Sequence, residues 1–303
     1  MDLANPAGVA RPRGVLAVSS RWTGWLRNRT LRQFVRNPGA VAGAVICTVF
    51  LVLALAAPLI TPHDPYHQSL MLALDPPSAD YPLGTDEHGR DILSRLLAGA
   101  QVSLFMSLAT VALALVVGGG LGLLAGYYRG APDEVIMRVM DVLLALPGVL
   151  LAITIIAILG VGIENVILAV AVSSVPVFAR LARASTLSVR ESEYVMAARV
   201  LGAPDWRMLL RDILPNITAP LIVMSTTRLA AVILTASGLS FLGLGAQPPS
   251  PEWGAMLNAG RAQLTSNPHV AVSPGIAIML IVLGFNLLGD GLRDALDPRL
   301  RNS

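Results

Sequence analysis

Six apolar runs, each near the length of a membrane-spanning helix, constrain this chain more than any other feature of its sequence. A hydrocarbon layer of about 30 Å needs about 20 helical residues to cross it. Backbone polar groups in a bilayer must be hydrogen bonded within the chain, so such runs form helices. We therefore predict an all-α polytopic membrane protein with six transmembrane helices. The predicted spans are Val41–Ile60, Val102–Tyr127, Val142–Leu159 (kinked at Pro147, with Asp141 as its cap), Val166–Leu181 (kinked at Pro176), Ala219–Leu244 and Val272–Leu288.

Composition supports a membrane protein and excludes a phosphate-binding loop of the lysine-containing type in this chain. The chain is 54% hydrophobic and 14% charged, whereas soluble domains carry about 25% charged residues. All 22 basic residues are arginine, and a phosphate-binding loop of the GxxxxGK[ST] type requires a lysine. Any ATPase that drives transport is therefore a separate polypeptide. We therefore expect no nucleotide cofactor in this chain.

The distribution of arginine predicts the orientation in the membrane. Of the 22 arginines, 18 lie in segments on one side of the predicted spans, 3 lie on the other side, and Arg228 lies inside the fifth span. Short loops rich in arginine stay in the cytoplasm, so both termini are predicted to be cytoplasmic. The expected divisions are a basic cytoplasmic segment with an interfacial helix (1–40), the first transmembrane helix (41–62), an extracytoplasmic loop with an amphipathic helix (63–99), a five-helix core (100–291) and a cytoplasmic tail (292–303). The basic segment is interpreted as binding lipid headgroups rather than nucleic acid.

Two extracytoplasmic loops carry further expectations. In the first loop, Thr85 or Asp86 is predicted to cap a short helix whose leucine-rich face is half sunk in the membrane interface. In the second loop, Trp253 suits the aromatic belt at the interface. No metal site is predicted, because the spacing of the loop histidines matches no ligand motif. These histidines are His63, His67 and His88.

A charged island between the fourth and fifth spans, Glu193–Asn216, contains two helix patterns. The first pattern runs from about Ser192 to Leu201 and stops at Gly202, which can adopt the left-handed cap conformation. The second starts near Pro204 and runs to Leu214, where Pro215 is expected to break it. Ala197 and Ala198 leave one face of the first helix nearly bare, so another protein could approach its backbone closely. We predict that the island is a lever on the cytoplasmic face.

Arg228 is the one arginine predicted to lie deep inside a span. A lone charge at that depth costs at least about 2.5–3.5 kcal/mol on insertion scales, so it is expected to face the bundle interior, a wet pathway or a partner subunit. It could bind an anionic group of a passing solute, or it could snorkel or bond to helix carbonyls. We include Arg228, Ser237 and Ser240 as candidate pathway residues.

The charged island resembles the EAA loop of the membrane subunits of bacterial ABC importers, whose pattern is EAA-x3-G-x9-I-x-LP. Ala197, Ala198, Gly202, Leu214 and Pro215 match this spacing, whereas methionine at 196 and aspartate at 212 depart from it. Three further stretches resemble the C-type permease of dipeptide, oligopeptide and nickel importers. They are LGTDEHGRDILSRLLAGAQVSL at 83–104, SFLGLGAQPPSPEWGAML at 240–257 and NLLGDGLRDALDPRL at 286–300. The chain as a whole is most similar to dipeptide and glutathione permeases of this branch, and GLLAGYY, GIENVILAVAVSS and NPHVAVSP resemble the glutathione type.

The resemblance implies a type I ABC importer (MetI-like) permease fold with cytoplasmic coupling helices, in the bacterial inner membrane. It implies that the chain is not an enzyme, and that it imports di- or oligopeptides, with glutathione included. The implied partners are a second homologous permease, two ATP-binding subunits and an extracytoplasmic solute-binding protein. The residues implied to contact the ATPase, within 191–216, are Tyr194, Ala197, Ala198, Arg199, Gly202, Trp206, Leu214 and Pro215.

Three alternatives remain open at this point. One is an ABC permease for nickel or another small solute. A second is an ion-coupled secondary transporter, although such proteins place carboxylates or histidines in mid-membrane, and all four histidines here lie in predicted loops. An intramembrane enzyme is the third, but Ser173 and Ser174 have no membrane-embedded base nearby in sequence.

Overall fold

The computed structural model describes residues 32–296, and in this range the chain is helical with no strand beyond a single isolated bridge. Nine helices carry the architecture, and they are numbered here in chain order. They are α1 (Pro38–Ile60), α2 (Ile92–Tyr128), α3 (Ala131–Leu144), α4 (Gly148–Leu159), α5 (Ile163–Arg190), α6 (Glu193–Val200), α7 (Asp205–Phe241), α8 (Trp253–Gly260) and α9 (His269–Leu296).

Five of these helices, α1, α2, α5, α7 and α9, are long and apolar enough to cross a membrane. The pair α3 and α4 makes a sixth crossing if its two helices count as one span. This agrees with six spans, and it confirms the predicted all-α fold class. The helices extend beyond the apolar runs because polar residues continue them past the expected ends, to Arg190 in α5 and to Leu296 in α9.

The third predicted span is wrong in its shape. Val142–Leu159 does not form one kinked helix, because α3 and α4 meet at a 90° bend. Pro147 lies in the break with extended backbone (φ −54°, ψ 129°). Proline has no amide hydrogen to donate, and Gly148 then begins a new helix in another direction. Asp141 lies inside α3 and does not cap a span.

A stripe of glycines joins α2 to α5 at the centre of the bundle. A Cβ atom on Gly118, Gly122 or Gly126 would lie 2.5 Å from Val175 O, 2.1 Å from Ala179 O and 2.7 Å from Thr186 Cβ, respectively. The helix backbones therefore approach one another more closely than any side chain on these positions allows. The stripe predicted from the four-residue spacing is confirmed as a packing surface.

The expected amphipathic helix of the first loop is the beginning of α2. Asp91 caps this helix by accepting hydrogen bonds from Leu93 N and Ser94 N, at 3.3 and 3.0 Å, so the predicted caps Thr85 and Asp86 are wrong. Ile92 is buried in an apolar cluster with residues of α7, α8 and α9 rather than half sunk in lipid. Leu96 packs against the same cluster, and Leu93, Leu96 and Leu97 are half-buried.

Trp253 also packs on protein. Its side chain is 0% exposed, its Nε1 donates to Leu96 O at 3.0 Å, and its ring meets Phe50 edge to face with centroids 5.7 Å apart. The expectation that it sits in the interfacial belt is wrong, because α8 packs against α7 and α9 while Leu96 of α2 and Phe50 of α1 cover the ring. Both polar loops lie at this end of the bundle, which we call the loop end, and the charged island lies at the opposite elbow end.

Candidate coupling and transport site

The charged island forms a bent pair of helices, which we call the elbow (residues 193–216). Its first arm is α6, preceded by Ser192 in extended conformation and followed by Gly202 with φ +77°. Only glycine adopts such an angle at little cost, so the predicted left-handed cap is confirmed. The amide of Ala203 then bonds to Ala198 O at 3.0 Å and closes the turn.

The second arm of the elbow is continuous with the membrane helix. Helix α7 begins at Asp205 after Pro204 and continues through Pro215 to Phe241, so the break expected at Pro215 is wrong. The turn before the proline, Met208–Ile213, is π-helical. A π turn widens the helix and shifts its hydrogen-bond register, which accommodates a residue that has no amide donor.

One face of the elbow is buried in the bundle. Val195, Met208 and Ile213 are each 2% exposed or less and join the larger apolar core with α2 and α5. The opposite face is uncovered, with Val200 at 87%, Leu201 at 86% and Trp206 at 67% exposure. The elbow is therefore fixed to the bundle on one side and presents an apolar surface on the other.

Tyr127, at the end of α2, fastens the elbow to the bundle. Its hydroxyl donates to Asp205 Oδ1 at 2.6 Å. The guanidinium carbons of Arg190 and Arg199 lie 5.8 and 5.9 Å from the centre of its ring, within the range of cation–π attraction. Arg199 therefore contacts the bundle as well as belonging to the elbow.

Replacing Tyr127 with phenylalanine should loosen this attachment. The change removes one hydrogen bond to a carboxylate and keeps the ring, with an expected cost of about 1 kcal/mol because Asp205 is exposed to solvent. Hydrogen–deuterium exchange across residues 193–207 should become faster. Tyr128→Phe is the matched control, since the Tyr128 hydroxyl makes no hydrogen bond to residues 32–296. Equal exchange in both variants would show that Tyr127 does not hold the elbow.

The structure brings the predicted coupling residues together on the elbow. Tyr194 donates its hydroxyl to Asp212 O at 3.3 Å and so ties the two arms to each other. Ala197 and Pro215 are exposed, while Ala198 and Leu214 are partly buried. Contact of these residues with an ATPase remains a prediction.

Ion pairs surround the elbow end. Arg129 meets Glu191 at 2.5 Å, and Arg180 meets Asp141 at 2.7 Å across α5 and α3. Asp133 accepts two hydrogen bonds from Arg183, at 2.5 and 2.6 Å. These pairs and the Tyr127–Asp205 bond join residues far apart in sequence, so no local spacing marked them as partners.

The candidate pathway residues are dispersed along α7. Arg228 is partly buried and forms no hydrogen bond or ion pair with residues 32–296. Its neighbours Thr226 and Thr227 pack against Gly289 of α9. Ser237 and Ser240 are buried nearer the loop end, where Gly254 lies against the Ser237 backbone and Gly245 against Ser240. The assignment of all three to the pathway remains a prediction.

A buried carboxyl group lies beside these serines. Glu252 is 0% exposed and caps α8, accepting from Gly254 N at 3.0 Å and from Ala255 N at 2.8 Å. Burial raises the pKa of the Glu252 carboxyl, and the two amide hydrogen bonds oppose that rise. Residues of this type normally stay at the surface, and no sequence pattern indicated this one.

Two family matches cover most of the chain. Residues 118–302 match the family described as the binding-protein-dependent transport system inner membrane component. Residues 26–77 match the N-terminal transmembrane domain of oligopeptide transport permease C.

Curated relatives match nearly the whole length. The glutathione transport system permease protein GsiD of Pectobacterium atrosepticum is 49% identical, over 89% of this chain and 90% of that protein. The dipeptide transport system permease protein DppC of Alkalihalophilus pseudofirmus is 45% identical, over 89% of each chain. The di/tripeptide transport system permease protein DppC of Pseudomonas aeruginosa is 46% identical, over 90% of this chain and 92% of that protein.

The fold also matches a solved structure. An inward-facing structure of the MetNI methionine ABC transporter aligns with a TM-score of 0.56 at 17% identity, over 68% of this chain and 98% of that chain. This similarity concerns the fold alone and agrees with the expected MetI-like architecture. With both family matches and relatives near half identity, the chain belongs to the binding-protein-dependent transport system inner membrane components, in the branch of the C-type peptide ABC importer permeases.

Proposed function

We propose that this chain is the membrane-spanning permease subunit of an ATP-driven importer for di- or oligopeptides, with glutathione included. The relatives described above are named for glutathione, dipeptides and di- or tripeptides. A solute-binding protein delivers the solute, and ATP is hydrolysed on two separate ATP-binding subunits. ATP and Mg are bound by those subunits, and this chain contributes no catalytic residue.

The observation that carries this proposal is the two-sided elbow. Its inner face is buried against α2 and α5, whereas Val200, Leu201 and Trp206 are exposed. Apolar side chains clustered on a protruding bend mark an interaction site, and a groove on an ATPase is the partner that the family supplies. Because α7 continues from the elbow into its membrane-length apolar part, displacement of the elbow would displace this helix directly.

The distribution of arginine supports an orientation with the elbow and both termini in the cytoplasm of a bacterial cell. The segments assigned to that side carry 18 arginines, against 3 on the other. In this orientation the loop end faces outward, toward the solute-binding protein. Residues 1–31 and 297–303 contribute to the arginine count and lie outside the described range.

The bend between α3 and α4 supports a second permease subunit as partner. Residues 145–147 leave the helix and are exposed. Non-helical backbone at membrane depth is tolerated only where protein covers it or where it lines a water-filled space. The bend lies between the two halves of one candidate span, so its backbone needs protein or water beside it rather than lipid. A homologous permease that shares the transport pathway would supply both.

Uptake into membrane vesicles tests the proposal. Vesicles containing the complete transporter and its binding protein should accumulate a dipeptide or glutathione in proportion to ATP, and an uncoupler that dissipates the proton gradient should have little effect. Accumulation that follows the proton gradient would indicate a secondary transporter. Affinity measurements on the binding protein with di- and tripeptides, glutathione and nickel then identify the solute class.

Arg228→Gln should impair uptake of anionic solutes. Arg228 forms no hydrogen bond or ion pair within residues 32–296. A charge near the membrane interior is costly and is typically functional. We expect about a tenfold loss of uptake, the size of one charge-assisted hydrogen bond, with normal assembly. Uptake should be compared between glutathione and a peptide of no net charge. Equal uptake by the variant and the parent would remove Arg228 from the pathway.

A further inference from the structure

A cavity of about 440 Å³ opens at the loop end, and neither the elbow residues nor Arg228 line it. It lies between the 61–91 loop and the segment that joins α7 to α8. Its apolar walls include Ile92, Met256 and Val270, and its charged groups all come from residues 86–95. The polar residues that line it are Gln68, Asp86, Glu87, His88, Arg90, Arg95 and Ser250.

Two buried arginines share one carboxylate in this cavity. Arg90 and Arg95 are 5% and 4% exposed. Asp86 Oδ2 lies 2.7 Å from Arg90 Nε and 3.5 Å from Arg95 Nε. Asp86 Oδ1 accepts the backbone amides of His88 and Arg90 at 2.9 and 3.0 Å. Both carboxylate oxygens of Asp86 are therefore occupied. The buried cluster of Asp86, Arg90 and Arg95 carries a net charge of +1.

The two arginines differ in how many of their guanidinium N–H donors already have a protein partner. Arg95 Nη1 donates to Pro65 O and Pro249 O, and its Nη2 donates to Ser250 O, at 2.9, 3.4 and 3.5 Å. These bonds fix Arg95 to both loops. The Arg90 side chain, in contrast, bonds through Nε to Asp86 and through Nη2 to His88, and within residues 32–296 its Nη1 makes no hydrogen bond. Arg90 is therefore the guanidinium with donors free for a ligand.

A second carboxylate stands at the rim of the cavity, next to Arg90. The Glu87 carboxylate lies 3.6 Å from His88 Nδ1, and Arg90 Nη2 lies 3.3 Å from the same ring nitrogen. The side chain of Glu87 is 40% exposed, so it is open to a ligand entering from solvent. An anionic and a cationic group thus flank a single imidazole nitrogen.

We propose that this cavity binds the α-amino acid head group of a solute, in which a free ammonium and a free carboxylate sit on one carbon. Arg90 receives the carboxylate, and Glu87 receives the ammonium. The inference rests on the proposed function and names the part of the solute that is recognised. An ordinary peptide carries its ammonium and its carboxylate at opposite ends, whereas a γ-glutamyl peptide carries an ammonium and a carboxylate on the α-carbon of its glutamyl residue, in addition to its C-terminal carboxylate. The cavity therefore favours γ-glutamyl peptides.

Protection of a single engineered cysteine tests this site. Cys47 is the one cysteine of the chain, so Cys47→Ala gives a cysteine-free background. Ala259→Cys then places a thiol on the cavity wall, and Ala262→Cys places one in the exposed turn nearby, outside the cavity. Maleimide labelling of this chain is followed as a mass shift, in membranes that contain the complete transporter.

The probe is γ-glutamylglycine, and the matched probe is its N-acetyl derivative, which lacks the ammonium. We expect γ-glutamylglycine to slow labelling at 259 and not at 262, and the N-acetyl form to require about tenfold more for the same protection. Glu87→Gln should abolish this difference between the probes. Asp80→Asn, which removes an exposed carboxylate of the same loop outside the cavity, should leave the difference intact.

Equal protection by both probes, absence of protection, or an equal effect of Glu87→Gln and Asp80→Asn would overturn the inference. Uptake driven by ATP is measured on the same membranes. Persistent uptake with no protection at 259 refutes the cavity assignment alone. Uptake that does not depend on ATP refutes the proposed function instead, so the two failures are distinguishable.

Discussion

Leu201→Asp is expected to abolish ATP-driven uptake while leaving the protein folded in the membrane. Leu201 is 86% exposed and lies at the turn between the two arms of the elbow. The fold loses almost nothing, because the side chain contacts solvent in the isolated subunit. An apolar anchor at the centre of an interface contributes about 2 kcal/mol or more, and a carboxylate placed in an apolar groove adds a desolvation cost.

The measurement is co-purification of the ATPase subunits together with uptake in vesicles. Both should fall by at least about thirtyfold, the factor that corresponds to about 2 kcal/mol. Leu201→Met is the matched control, since it keeps an apolar side chain of similar volume and should retain both. If Leu201→Asp transports normally with its ATPases bound, the exposed face of the elbow is not the docking surface.

Gly122→Leu should prevent folding, whereas Gly120→Leu should be tolerated. A Cβ on Gly122 would lie 2.1 Å from Ala179 O and 2.8 Å from Ala182 Cβ. The first contact is with backbone, which moves only if the whole of α5 is displaced. Nothing lies within 4 Å of a Cβ on Gly120. Overpacking a tight core costs about 1–3 kcal/mol, and more where backbone blocks relaxation.

Accumulation of each variant in the membrane, followed by thermal aggregation in detergent, separates these outcomes. Gly122→Leu should be degraded or aggregate at low temperature, and Gly120→Leu should behave like the parent. The two substitutions add the same side chain to the same helix two residues apart, so helix propensity and hydropathy are matched. Similar accumulation of both variants would mean that α2 and α5 are not packed as described.

The sequence predicted those features that depend on local spacing. The apolar runs predicted six membrane-length segments, the four-residue repeat of glycines predicted a close packing surface on α2, and Gly202 predicted the cap of the first arm of the elbow. Each of these depends on a rule that applies within a few helical turns. For this reason they could be derived without knowledge of the tertiary fold.

The features that the sequence did not predict depend on contacts between distant residues. Pro147 and Pro215 carry the same local signal, yet the first interrupts a span and the second lies within a continuous helix. What differs is the preceding turn, which widens to π geometry before Pro215. Trp253 is buried for a similar reason, because Leu96 and Phe50 reach it from other helices.

The uninterrupted length of α2 has a mechanical consequence. Its 37 residues contain no proline and extend about 55 Å at 1.5 Å per residue. One end holds Arg95, bonded to carbonyl groups of both polar loops, and the other holds Tyr127, bonded to the elbow. A rigid helix of this kind cannot shorten, so displacement of its elbow end must tilt or slide its loop end. Movement of the two loops at the loop end and movement of the elbow are therefore expected to be coupled through one rigid-body motion of α2.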